Sequence, residues 1–128
     1  MNRFLLVALL LLLAVPAWAE DQQVMDDGSL VVLPLEAQQC NYPSAPPPIP
    51  DDAGKPELLA AQKHVKEFQA KLGEYRACIN KNVDSPDLTT GNRQAINNAY
   101  NDSVDMEERV AAIFNEAVKA YKARQAGK

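Results

Sequence analysis

The sequence predicts an all-α fold, a disulfide-stapled antiparallel helical hairpin with an extended proline-rich N-terminal arm. Three observations predict it. In residues 56–80, Leu58, Ala61, Val65, Phe68, Leu72, Tyr75 and Ile79 recur at alternating steps of three and four, which places them in one seam along a helix. A second stretch, 92–123, keeps a helical period after a break rich in turn residues. Two cysteines, Cys40 and Cys78, stand before the prolines and at the far end of the first helix, where a bond between them would fix the arm.

The chain opens with residues 1–19: one basic residue at Arg3, an unbroken apolar run from Phe4 to Val15, a helix-breaking Pro16, and small residues at Ala17 and Ala19. This is the pattern of a secretory signal peptide cleaved after Ala19. The apolar run falls short of the roughly 20 residues that span a bilayer, and no cysteine follows it to accept a lipid. A periplasmic or secreted protein without a stable membrane anchor is the expectation. Cleavage would remove the single tryptophan, Trp18, and with Arg3 one of 13 basic residues against 17 acidic, leaving the mature chain more negative than the formal −4 of the whole. Without a basic cluster before the last turn, that balance argues against a nucleic-acid partner.

The segment 20–55 is expected to form an extended, partly disordered arm. Asp26, Asp27, Gly28 and Ser29 spell a turn, and the β-branched run after Leu30 is stopped by Pro34. A lone strand does not make a sheet. Prolines at 43, 46, 47, 48 and 50 then impose a polyproline II path. Export makes the Cys40–Cys78 pair a structural disulfide. A metal site would need ligands beyond the one histidine, His64, and a thioredoxin-type redox pair would need closer spacing. Geometry agrees: the first helix should be about 30 Å long, and residues 41–55 can reach about 46 Å as polyproline II. An arm starting at Cys78 can therefore run back to the helix's beginning.

The first helix, expected over about 56–80, opens with Pro56 and Glu57, both suited to a first turn. Lys63, Glu67 and Lys71 form an ordinary solvated face. The second, about 92–123, should be capped by Thr89 or Thr90. It carries two apolar rows: Ile96, Ala99, Met106, Val110, Ile113 and Ala117 in one, and Tyr100, Val104, Ala111, Phe114, Val118 and Tyr121 in the other. That face is broader than one narrow seam can cover. The excess must meet the segment 30–35 and the proline arm, another copy of the chain, or a different partner. Asn101 and Asn115, two heptads apart, should border the same seam.

Chemistry is sparsely signalled. If the connection centres near Ser85 or Pro86, His64 should face Glu107 across the hairpin, a pair suited to tuning stability with pH. No nucleophile with a base, glycine-rich phosphate loop or paired carboxylate frame is recognisable, so neither an enzyme nor a cofactor is expected.

The motifs Pro48-Ile49-Pro50-Asp51, Ala61-Gln62 with Val65-Lys66 and Phe68, Tyr75 before Cys78, Tyr100-Asn101 with Val104, and Phe114-Asn115 with Tyr121-Lys122 together resemble a group of small exported proteobacterial proteins with no assigned activity. The resemblance spans about residues 40–124. It implies the helical hairpin and brings no catalytic residues. The expected function is a non-catalytic binding module of the cell envelope, meeting an envelope protein through Tyr100, Val104, Ala111, Phe114, Val118 and Tyr121. The alternatives are a self-associating structural protein, whose hairpins pair into a four-helix bundle, and a periplasmic chaperone-like protein.

Overall fold

The computed structural model describes residues 22–128; the expected leader, residues 1–19, lies outside them. Three helices follow in order: α1 (Leu35–Gln38), α2 (Lys55–Asn80) and α3 (Thr90–Ala126). Among the described residues there is no strand, only an isolated antiparallel bridge between Val24 and Leu30. The fold is the all-α, disulfide-bonded hairpin that the sequence predicts.

Helix α2 begins where local chemistry tells it to. Pro56 occupies the first turn, where no intrahelical N–H is needed. The Glu57 carboxylate accepts a hydrogen bond from the Gly54 N–H at 3.0 Å, satisfying a donor the helix leaves open. Its seam is buried as the spacing requires: Leu58, Val65, Leu72 and Ile79 at every seventh position, with Phe68 and Tyr75 between them. Full burial of one such side chain contributes about 1.5–3 kcal/mol, so this row supplies much of what holds the hairpin together.

The connection, residues 81–89, is a series of tight turns. Arg93 fastens it to α3 by donating to the Val83 carbonyl at 2.6 Å and the Ser85 carbonyl at 2.9 Å. Thr89 caps α3: its hydroxyl accepts from the Asn92 N–H at 3.0 Å, while the Asn92 side chain accepts from the Thr89 N–H at 3.1 Å. The other end of the Asn92 amide donates to the Val32 carbonyl, so one residue both starts the helix and holds the N-terminal segment.

The core divides into two clusters. One joins Ala37 of α1, Tyr75, Ile79 and Ile96, with Leu33, Val83 and Leu88 packed around them. The other joins Val65, Phe68, Leu72 and Val110, with Met106 and Phe114 against it. Helix α1 has only four residues and was not expected. It puts Ala37 into the first cluster and ends beside Cys40.

The arm lies along the hairpin. Cys40 is bonded to Cys78 with their Cα atoms 5.8 Å apart, and Tyr42 stands edge-on to the Tyr75 ring at 5.0 Å. At the other end Arg124 donates to the carbonyls of Asp51 at 2.9 Å and Ala53 at 2.6 Å. Between these anchors, residues 41–49 make no backbone hydrogen bond to either helix. The arm is thus a strap secured at its two ends.

Candidate partner-binding face

At about 100° of turn per residue, Ile96, Ser103 and Val110, all buried, form a central line on α3, with Ala99, Met106, Ile113 and Ala117 of the first row on one side of it. The strap occupies one side only. Hollows beneath it are lined by Met106, Arg109 and Ile113 of α3. The opposite side carries Tyr100, Val104, Ala111 and Val118, with Phe114 and Tyr121 nearer the centre line. On α2, Gln62, Gln69 and Arg76 stand seven residues apart and so share a face; Arg76 meets Glu107 of α3, which puts that polar face on this free flank.

The six residues expected to bind a partner do not share one environment. Tyr100 is 37% exposed, whereas Val104, Ala111, Phe114, Val118 and Tyr121 are half-buried. Phe114 packs on the second core cluster and belongs to the fold as much as to the flank. Val104, Ala111 and Val118, again seven apart, form the remaining shallow apolar stripe.

One polar assembly organises this flank. The Arg76 guanidinium meets the Glu107 carboxylate at 2.8 Å, and both side chains are largely shielded from solvent. It also donates to the Ser103 hydroxyl at 3.3 Å. Ser103, 0% exposed, donates in turn to the Tyr100 carbonyl at 2.6 Å. The guanidinium lies 5.8 Å from the Tyr100 ring centroid, a cation–π approach that holds the ring in place. This layer separates the two apolar clusters. Arg76 and Ser103 were not among the expected site residues, though Ser103 stands midway between Ile96 and Val110, where an apolar residue would continue the row.

The expected His64–Glu107 contact is not formed. Glu107 is taken by Arg76, about three turns closer to the bend. His64 is exposed, with its Nδ1 3.8 Å from the Glu67 carboxylate on its own helix. The reason is that the connection is not symmetric. The first turn of α3 packs against the N-terminal segment and the loop, so α2 and α3 come level further along α3 than a bend centred at Ser85 would give.

The N-terminal segment completes the surroundings. Asp27 accepts from the Ser29 hydroxyl at 2.6 Å and the Ser29 N–H at 2.9 Å. These bonds, the hydroxyl foremost, hold its carboxyl down at about 2. The Ser29 hydroxyl accepts from the Gly91 N–H at 2.9 Å, docking the turn on α3. Burial raises the Tyr75 phenol above its ordinary value, with Tyr42 and Asp102 adding to the effect. Among the described residues no three His, Cys, Asp or Glu side chains converge as a metal site would require, and no helix is long and apolar enough to cross a membrane.

No protein-family model, curated protein or solved structure matches the chain. The class defined by fold and flank is a disulfide-bonded helical hairpin with one strapped and one unstrapped side.

Proposed function

We propose that the chain is an exported, non-catalytic protein-binding module of the cell envelope that engages its partner through the free flank of α3. The observation that carries this reading is the one-sidedness of the strap: Cys40, Tyr42 and Arg124 hold the arm over the Met106 and Ile113 side, while Tyr100, Val104, Ala111 and Val118 stand on the other. A disulfide suits an oxidising compartment, and the sequence of residues 1–19 suits export there.

An amphipathic helix of the partner would lie along the stripe, burying its apolar residues on Val104, Ala111 and Val118 and presenting polar ones to Gln62 and Gln69. Tyr100, held by Arg76, would be a rigid aromatic anchor, the kind of residue on which binding energy concentrates. The experiment is in-cell photo-crosslinking with the probe at Ala111, on the stripe, and in a second strain at Asn101, on the outward face of α3. A discrete foreign adduct from Ala111 that disappears with Val104→Asp supports the module. Adducts at twice the chain's own mass would instead establish a self-paired bundle, and absence of any adduct at Ala111 would remove the flank from consideration.

A further inference from the structure

The strap covers the hairpin without filling the space beneath it. Between arm residues 46–49 and the helices lies a cavity of about 370 Å³, floored by Ala61 and Val65 of α2 and by Met106, Val110 and Ile113 of α3. Its lining is almost wholly apolar. A second hollow of about 560 Å³ continues along α3 and shares Ile49, Arg109 and Ile113 with the first. Ile113, 54% exposed, would be an ordinary surface side chain were it not the wall common to both. The one cation at this wall is Arg109. Among the described residues no carboxylate stands at ion-pair distance from its guanidinium. Two carboxylates line the second hollow: Glu116, which is met by Lys119 at 3.1 Å, and Asp51, which forms no ion pair with Arg109. An uncommitted guanidinium beside an apolar crevice is complementary to a ligand with one apolar chain and one negative end.

We infer that the crevice beneath the proline strap binds a free single-chain carboxylate, such as a medium-chain fatty acid, with the tail under residues 46–49 and the head against Arg109. The size is right: an apolar cavity of about 150 Å³ admits a benzene, and small-ligand sites begin at about 300 Å³, so the first hollow has room for a chain of roughly ten carbons. The architecture is right as well. The strap is fixed at its ends and has no hydrogen bonds to break along 41–49, so it can lift slightly to admit a chain while its prolines remain extended. The site is on the other side of the hairpin from the proposed protein-binding flank, so either can fail alone.

The test is calorimetric titration of the protein, purified from cells expressing the full sequence, with sodium decanoate below its micellar range, and with decanol as the uncharged counterpart. Saturable one-to-one binding of decanoate is expected, roughly tenfold weaker for decanol and for Arg109→Gln, a factor of ten corresponding to about 1.4 kcal/mol. Ala61→Phe, which fills the floor, should abolish it. Circular dichroism checks that each variant keeps its helices, and Ile113→Ser, at an exposed position, is the second variant should Ala61→Phe fail to fold. Equal affinity for decanol, or binding unchanged in Arg109→Gln and in the filled variant, overturns the assignment. So does a dimer in sedimentation that Ala61→Phe dissociates, which would make a second copy the occupant, or retention on anionic phospholipid vesicles without any response to decanoate.

Discussion

Arg76 and Glu107 meet where two apolar clusters would otherwise run together, and what either contributes depends on the other. With both side chains mostly shielded from water, deleting one partner leaves a charge without its counterpart. That loss exceeds what an exposed ion pair is worth, which is usually under about 1 kcal/mol. Glu107→Ala should therefore destabilise the hairpin by about 1–2 kcal/mol, lowering the melting temperature by roughly 5–10 °C. Glu107→Ala made in an Arg76→Met background should cost much less, since the stranded charge is gone, and a double-mutant cycle measures the difference. Asp27 gives a prediction in pH. Its carboxyl is held at about 2 against an ordinary 3.8, so the bonds to Ser29 contribute fully above about pH 4 and are lost as pH falls through 2. NMR titration should find the Asp27 midpoint near 2, and Asp27→Asn should leave docking of the 26–29 turn insensitive to pH in that range.

The elements differ in how much of them a local reading could find. Helix α2 was legible throughout, because its signals are all in place: Pro56 and Glu57 at its start, and a buried residue at every expected step from Leu58 to Ile79 except Ala61, which is half-buried. The disulfide was legible for the same reason, and the α3 cap to within one residue, Thr89 or Thr90, of which Thr89 is the cap. Helix α3 was legible as a helix but not in register. Its first turn answers to Leu30 and Val32, sixty residues away in sequence, and no local pattern reports that. Helix α1 is a single turn after Pro34, too short to show a period. Gly91 is where the distant contact is written most plainly. In a helix, Gly to Ala ordinarily stabilises by about 1 kcal/mol, yet here a Cβ would run into the Leu30 carbonyl oxygen. Gly91→Ala should therefore undock residues 24–32 while leaving α3 helical. Faster amide exchange at Val31, whose N–H is bonded to the Gln23 carbonyl, with unchanged circular dichroism, is the expected outcome.

For the molecule as a whole, the disulfide decides whether strap and hairpin behave as one body. It closes a loop of sequence separation 38, for which the chain-entropy model gives about 4 kcal/mol of stabilisation. Beyond α1, whose Ala37 is buried in the first cluster, little else holds the near end of the strap. Tyr42 rests on Tyr75, an aromatic contact of about 1 kcal/mol, and no backbone hydrogen bond links 41–49 to the helices. The far end has the Arg124 clamp, which does not depend on the cysteines. A Cys40→Ser, Cys78→Ser chain should therefore loosen the strap: α2 and α3 stay paired through Leu72, Val110 and Phe68, while residues 41–49 bow away from the helices between α1, whose Ala37 stays in the first cluster, and the Arg124 clamp. Stability should fall by about 3–4 kcal/mol. Limited proteolysis should cut within 41–49 well before it cuts either helix, and Arg124→Ala in the same background should release the far end as well and quicken the cut. Loss of helix content in parallel with strap cleavage would instead mean that the arm is part of the hairpin's own core, and that the two sides of α3 cannot be separated in function.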